Sequence, residues 1–208
     1  TEVSDVVRRP VINVTCIGKV KKGGFIPTGG LKAGDELVMT KWAGLEGTSI
    51  IASEKADTLK QTLPAGLIET AVSFKDYLSV VPEAAVAACM GATAMHDITE
   101  GGIFGALWEI GEASGTGIMA DLRKIPIRQE TVEICEVFDI NPYMLISSGS
   151  MLIGCANGNL LVERLAEKGI PAAVIGRATE GKGRIVVNGE DTRYLGPAVS
   201  DELYKIYK

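Results

Sequence analysis

Residues 95–102 constrain the fold more than any other part of this chain. They read Met-His-Asp-Ile-Thr-Glu-Gly-Gly, include the only histidine, follow a run of small apolar residues and lead into an amphipathic segment. This order predicts a strand, a polar turn with paired glycines, and then a helix. Glycines let a ligand approach the main chain closely, and the unpaired N–H groups of a first helical turn favour an anion. The segment therefore predicts an anion-binding junction between a strand and a helix.

The candidate site residues at this junction form two groups, the catalytic candidates His96, Asp97 and Glu100 and the phosphate-binding candidates Thr99, Gly101 and Gly102. Carboxylates beside a bound phosphate suit a metal ion, and Asp97 is the candidate metal ligand. The structural alternative is a capping box, with Asp97 as N-cap and Glu100 three residues later. A capped helix needs no ligand. However, each glycine in a first turn destabilises a helix by about 1 kcal/mol without improving a cap.

A second strand–glycine–helix junction is predicted at residues 41–48, which read Lys-Trp-Ala-Gly-Leu-Glu-Gly-Thr. Lys41 could neutralise phosphate oxygens, and Gly47 could let the backbone approach them, with Thr48 in the first helical turn. Two such junctions in one sheet could face a common ligand. The alternative is a plain loop with a solvated Lys41.

Residues 176–182 match the spacing of a P-loop but not its context. Gly183 follows where a serine or threonine should bind magnesium, and the next residues are strand-forming where a helix is required. We interpret residues 180–183 as a hairpin turn between two strands.

Residues 147–150, Ser-Ser-Gly-Ser, offer three hydroxyls before a predicted strand. A serine nucleophile would have to use His96, which is distant in sequence, and no G-x-S-x-G elbow is present. Serine and glycine at a turn are usually structural, so a Ser-His-Asp hydrolase is disfavoured.

The pattern as a whole predicts an α+β (α/β-like) fold, a mixed β-sheet covered by helices. The predicted strands are residues 11–20, 35–40, 92–95, 118–121, 150–155, 172–177 and 184–188. The predicted helices are residues 44–53, three pieces within 55–91 broken at Pro64 and Pro82 (the last, 83–90, buried), 103–114 with Gly115 as its stop, 129–138, 160–168 and a short amphipathic 200–207.

Composition excludes several classes of protein. The chain has 208 residues, 21 basic and 26 acidic side chains and 5% aromatic residues, without a basic block, which disfavours nucleic acid as a partner. No apolar run could span a bilayer and no signal peptide opens the chain, so we expect a cytoplasmic protein with no membrane partner. The four cysteines are scattered, and we expect three of them to be buried free thiols. One histidine and no paired cysteines disfavour zinc.

The chain begins at Thr1 without an initiator methionine and soon enters a strand-like run. We therefore expect a fragment whose N-terminal portion is missing. The glycine-rich residues 21–34 are the best candidate for a domain boundary.

The two junction motifs, followed by Ile-Ser-Ser-Gly-Ser-Met-Leu-Ile, resemble the C-terminal domain of proteins related to aminoimidazole ribonucleotide (AIR) synthase. That superfamily includes the purine-pathway cyclo-ligase, formylglycinamidine synthase, selenophosphate synthetase, thiamine-phosphate kinase and the hydrogenase-maturation carbamoyl dehydratase. The similarity covers residues 31–208, with the motifs in family order. Residues 1–30 would then be a remnant strand and linker from a missing N-terminal ATP-binding and dimerisation domain.

The resemblance implies an ATP- and Mg²⁺-dependent enzyme of two domains, homodimeric when full length, whose C-terminal domain closes over a cleft holding a small phosphate-bearing substrate. Residues 96–102 would line that cleft, and Lys41, Gly47 and Thr48 would form its opposite lip. The isolated fragment would have little or no activity.

One departure from the family pattern concerns the dehydratase branch, to which the 95–102 motif is nevertheless most similar. That branch ends in a reactive cysteine, whereas no cysteine follows Cys155 here. The substrate and the particular member stay open. The alternative function is a non-enzymatic nucleotide-sensing or scaffold protein that retains the fold.

Overall fold

The computed structural model describes residues 12–197 and 200–207. In this part of the chain, one mixed sheet has the strand order β2-β4-β1-β5-β3-β6-β7. Its strands are β1 Glu36–Thr40, β2 Ala94–Asp97, β3 Gly117–Asp121, β4 Met151–Cys155, β5 Ala172–Thr179, β6 Arg184–Asn188 and β7 Asp191–Tyr194. Every neighbouring pair is antiparallel except β3 and β6, which are parallel. The predicted mixed sheet is confirmed.

The α-helices are α1 Leu45–Glu54, α2 Ala56–Leu59, α3 Ala65–Ser73, α4 Val81–Cys89, α5 Gly102–Ser114, α6 Gln129–Val137 and α7 Gly158–Ala166. Short 3-10 segments lie at Thr28–Gly30, Phe74–Tyr77, Leu122–Lys124, Pro142–Met144 and Glu202–Tyr207. Helices cover both faces of the sheet, so the α+β architecture is also confirmed. The helices of the described residues are too short or too polar to span a bilayer.

Helix α5 covers one face of the sheet. Its apolar residues recur at helical spacing and are fully or almost fully buried against the strands, at Ile103, Ala106, Leu107 and Ile110. Burying each large side chain stabilises the fold by about 1.5–3 kcal/mol. The helix ends at Gly115, whose φ of 65° is left-handed, as the sequence predicts.

Helices α4 and α7 cover the opposite face, where Leu161 and Leu165 pack with Val38 and Ile153. A third apolar cluster joins α1, α3 and α6. The segment 200–207 packs against this cluster through Leu203 and Ile206, which brings the far end of the described chain close to α1.

The strand predicted at residues 11–20 is wrong for residues 12–20, which have no regular structure, and residue 11 lies outside the described residues. The side chains of Ile12, Val14 and Ile17 are 85%, 87% and 92% exposed. Alternation and β-branching favour an extended backbone, but a strand also needs a neighbour to accept its hydrogen bonds. No strand of the described chain lies beside this segment.

The predicted hairpin at residues 180–183 is also wrong, because β3 lies between β5 and β6. Ile118 of β3 is opposite Ala178 on one side and Arg184 on the other. A hairpin instead joins β6 to β7, with Asn188 opposite Asp191. Residues 184–188 do form a strand, so the helix that a P-loop requires is absent at this position.

Three smaller expectations need correction. Pro82 lies in the first turn of α4 rather than at a break, a position where proline sacrifices no helical hydrogen bond. Helix α4 is not a buried helix, because within it only Glu83 and Ala87 are buried. The last predicted helix is of the 3-10 type and begins at Glu202 rather than at residue 200.

Two cysteines are buried rather than three. Cys135 and Cys155 lie in the core, whereas Cys16 and Cys89 are exposed. Burial raises the pKa of the Cys135 thiol to about 12 and that of Cys155 to about 11.

Candidate functional site

The glycine pair lies where the chain turns from β2 into α5, and both glycines are left-handed, with φ of 84° at Gly101 and 61° at Gly102. A Cβ atom on Gly102 would lie 2.6 Å from the carbonyl oxygen of Tyr143 and 2.7 Å from that of Leu145. Glycine is required here by the backbone conformation and by the close approach of the chain's own 143–145 backbone. The capping-box alternative is wrong, because Asp97 ends β2 and the N-cap is Gly101, without a side-chain cap.

The first turn of α5 already holds an anion. The N–H of Gly101 donates to Oδ2 of Asp201 at 2.7 Å, and the N–H of Gly102 donates to the Thr99 carbonyl. Within the described residues, no group accepts from the amides of Ile103 and Phe104. The positive end of the helix dipole therefore favours negative charge here, and a carboxylate of the same chain occupies the position.

A cavity of about 460 Å³ opens beside the start of α5, lined among others by Gly101, Phe104, Tyr143, Val186 and Arg193. The rings of Phe104 and Tyr143 stack with centroids 5.4 Å apart and planes inclined by 13°. Burial raises the pKa of the Tyr143 hydroxyl. The cavity is thus lined by aromatic residues, by an arginine and by residues of a helix start.

His96 is held between two other elements of the fold. Its Nε2 atom lies 2.8 Å from Oε2 of Glu109 in α5, and its Nδ1 atom lies 3.3 Å from Oγ1 of Thr28. The side chain is 17% exposed. Its two ring nitrogens already have protein partners on both sides.

The acidic candidates remain at the surface. Asp97 and Glu100 are exposed, and Thr99 is half-buried. Glu100 receives a hydrogen bond from Tyr204, which raises the pKa of the tyrosine hydroxyl. In the described residues, no three His, Cys, Asp or Glu side chains come together to hold a metal ion. A metal at Asp97 would therefore need ligands from outside this set.

The second junction has a different role from the one that the sequence suggests. The Lys41 ammonium donates to the carbonyl oxygens of Tyr77, Ser79 and Gly149 at 2.7–2.8 Å and also pairs with Glu83. The side chain is buried, so the solvated alternative is wrong. Since internal groups take up its protons, Lys41 is not directed at the start of α5.

Gly47 and Thr48 are likewise used in packing. A Cβ atom on Gly47 would lie 2.5 Å from the Leu145 side chain, and the Thr48 hydroxyl donates to Thr131 at 2.9 Å. The start of α1 is occupied as well, since the Gly44 N–H donates to Oγ of Ser147 at 2.7 Å. The starts of α1 and α5 therefore both contact residues 143–147 of the protein itself. Lys41, Gly47 and Thr48, which were expected to form one lip of a phosphate site, contact internal groups instead.

Sequence patterns do not reveal several residues of this region. Asp201 is 100 positions from Gly101, and no local motif marks it as a partner. Tyr143 and Arg193 reach the cavity from separate segments. Strand β7 reads Asp-Thr-Arg-Tyr and is exposed throughout, so it lacks the alternation of apolar and polar residues that predicts a strand, and the sequence did not predict it.

The fold and this junction define the class of protein. The chain belongs to the AIR synthase-related family, because its residues 32–188 match the family described as "AIR synthase related protein, C-terminal domain". The predicted resemblance is confirmed.

Similarity to individual relatives extends along most of the chain. The sequence is 25% identical over 171 residues to carbamoyl dehydratase HypE of Rhodobacter capsulatus, covering 80% of this chain and 48% of that protein. The chain thus spans about half the length of the curated relatives it matches first, 48% to 61%.

Solved structures share the fold. Escherichia coli HypE, a hydrogenase maturation protein, superposes with a TM-score of 0.71 at 22% identity, covering 88% of this chain and 55% of that one. HypE in complex with ATP superposes with a TM-score of 0.63 at 16% identity, covering 86% and 55%.

Proposed function

We propose that this chain is the C-terminal domain of an ATP-dependent AIR synthase-related enzyme that binds a phosphate-bearing ligand at the start of α5, in a cleft shared with an N-terminal domain. The observation that carries the proposal is that this helix start seats an anion and opens on a 460 Å³ cavity. Family membership adds support, since a fold relative has been solved with ATP.

The residues around the helix start have distinct roles in this proposal. The amides of Gly101, Ile103 and Phe104 face the phosphate, and the cavity receives the rest of the ligand. Asp97 holds magnesium together with phosphate oxygens and water, which suits an ion that keeps much of its hydration shell. Thr99 and Glu100 flank the phosphate, and His96 is positioned by Glu109. Catalysis then consists of positioning and charge neutralisation.

For the full-length protein we propose a cytoplasmic homodimer. In this homodimer the N-terminal domain supplies most of the contacts to the nucleotide and to magnesium. The 208-residue chain alone is expected to turn over little or no ATP.

Nucleotide titration of the full-length protein tests the function. We expect Mg²⁺-dependent ATP binding by calorimetry that weakens about tenfold in Asp97→Ala, the loss of one charge-assisted metal contact. Asp57→Ala removes a fully exposed carboxylate in α2 and serves as the matched control. Equal affinities in both variants would remove the metal role of Asp97. ATP binding without turnover of any phosphate-bearing substrate would favour a nucleotide-sensing or scaffold function.

Amide resonances locate the site independently of activity. In the ¹⁵N-labelled chain, inorganic phosphate is expected to shift the amide resonances of Gly101, Ile103 and Phe104. The amide resonance of Gly181, in the loop that connects β5 to β6 along the chain, should not shift. Shifts confined to other regions would place the phosphate elsewhere.

A further inference from the structure

Asp201 is a buried carboxylate that forms no ion pair with a cationic side chain of the described residues. It is 2% exposed, Oδ2 accepts from the Gly101 N–H at 2.7 Å, and Oδ1 accepts from the Leu203 N–H at 2.9 Å. No lysine or arginine of the described chain forms an ion pair with it. A buried carboxylate is unfavourable unless it is compensated. Here two backbone amides compensate the charge, that of Gly101 at the positive end of α5 and that of Leu203 in the same segment.

This carboxylate therefore occupies the place where the proposed ligand would put its phosphate. A single N–H cannot serve both Asp201 and a phosphate oxygen with good geometry. Two anions held a few ångströms apart at low dielectric would also repel each other strongly.

The segment that carries Asp201 is attached by a small set of contacts. Glu202 accepts from the Asn141 N–H at 3.1 Å and pairs with Lys205 at 2.7 Å. Tyr204 bonds to Glu100, and Tyr207 bonds to Glu54. The two tyrosines are 51% and 45% exposed, and the segment is a six-residue 3-10 helix. Within residues 200–207, the apolar contacts with the core are those of the half-buried Leu203 and Ile206, which pack on the third apolar cluster. Segments with few buried apolar contacts open locally at much lower free energy than the whole domain.

We infer that residues 200–207 are an internal competitor for the phosphate position, so that the site is closed while Asp201 is seated and opens when the segment leaves. This regulation rests on the proposed function, because it requires a phosphate at the start of α5. Because the site cannot bind while Asp201 is seated, the apparent affinity for the ligand equals the intrinsic affinity multiplied by the fraction of molecules in which the site is open. Ligand binding in turn releases the segment, and Glu100 loses its bond to Tyr204.

Binding of inorganic phosphate to the full-length protein, measured by calorimetry, tests this inference. Asp201→Asn keeps the size of the side chain but removes its charge, and we expect about tenfold tighter binding, since the competing anion is lost. Asp139→Asn is the matched control. It removes an exposed carboxylate at a positive-φ position that asparagine tolerates, and its phosphate affinity should stay at the wild-type value.

A second variant and a second measurement test the inference even if Asp201→Asn does not fold. Tyr204→Phe removes the bond to Glu100 without changing charge at the helix, and it should also tighten phosphate binding. In the wild type, hydrogen exchange at residues 202–207 should accelerate when phosphate is added. In the Asp139→Asn control the same acceleration is expected.

The outcomes separate the two proposals. If the wild type and Asp201→Asn bind phosphate at the α5 amides equally well, with unchanged exchange at residues 202–207, the competition is refuted while the binding site stands. If phosphate reaches these amides in none of the variants, the proposed function fails and the competition fails with it.

Discussion

The Nζ atom of Lys41 lies 2.6 Å from Oε1 of Glu83, and the two side chains are only 7% and 1% exposed. Among the described residues, the ammonium is the only polar partner of this carboxylate. Lys41 also has a left-handed φ of 53° and donates to three carbonyl groups. This lysine therefore joins β1 to α4 and to the loops before both α4 and β4.

The ion pair gives a stability prediction. Glu83→Gln should lower the free energy of unfolding by about 3 kcal/mol, because a buried ammonium would lose its counter-charge. Urea unfolding followed by far-ultraviolet circular dichroism measures the change. Asp57→Asn breaks the exposed pair with Lys60 and should leave the unfolding midpoint unchanged. Equal midpoints for the two variants would contradict a structural role for Lys41–Glu83.

The loss of stability on substituting Gly102, at the start of α5, can be compared with the loss on substituting Gly115, at its end. Gly102→Ala should destabilise the domain by about 2–4 kcal/mol, from a left-handed backbone and a collision with the 143–145 backbone. Gly115→Ala has a similar φ of 65° but nothing within 4 Å of its Cβ, so it should lose only about 1–2 kcal/mol. Thermal unfolding of both variants gives the difference. A larger loss for Gly115→Ala would show that crowding at Gly102 is relieved by small shifts.

Ser147 is expected to act in structure rather than in catalysis. Its buried hydroxyl accepts from the Gly44 N–H at 2.7 Å and donates to the Leu145 carbonyl at 2.8 Å. Ser147→Ala should lower the free energy of unfolding by about 1–2 kcal/mol, since a buried N–H would lose its acceptor. Ser148→Ala is the neighbouring control and should have little effect. If Ser147→Ala abolished the proposed activity of the full-length protein without destabilising it, a nucleophilic role would have to be reconsidered.

The buried thiols predict a loss of stability at alkaline pH. The pKa values of Cys135 and Cys155 are raised from 9.0 to about 12 and about 11, mainly by burial. Above pH 9.0 the unfolded chain releases these protons while the folded chain keeps them, so stability should fall as pH rises from 9.0 towards 11–12. The midpoints of urea unfolding across that range measure the effect. Cys135→Ala removes one of the two thiols, so its midpoint should fall less steeply with pH than that of the wild type.

The same thiols can be counted directly. At pH 8, Ellman's reagent should react rapidly with Cys16 and Cys89 and slowly with Cys135 and Cys155 until urea unfolds the chain. Rapid reaction at all four thiols would show that the core opens readily.

Local sequence is sufficient where local forces decide the structure. Strand β6 and helix α5 with its Gly115 stop follow from periodicity and from the backbone freedom of glycine. The paired glycines at residues 101 and 102 do mark a turn from strand to helix. Family membership follows from the same short motifs, because they recur as units with defined spacing.

Tertiary structure alone decides the contacts between distant segments. The insertion of β3 between β5 and β6, the burial of Lys41 against Glu83, and the seating of Asp201 on Gly101 each join residues far apart in the chain. A residue's own pattern states its charge and its backbone preference, but not which distant group will satisfy it. The sequence therefore specifies that the start of α5 attracts an anion, whereas packing determines that this anion is a carboxylate of the same chain.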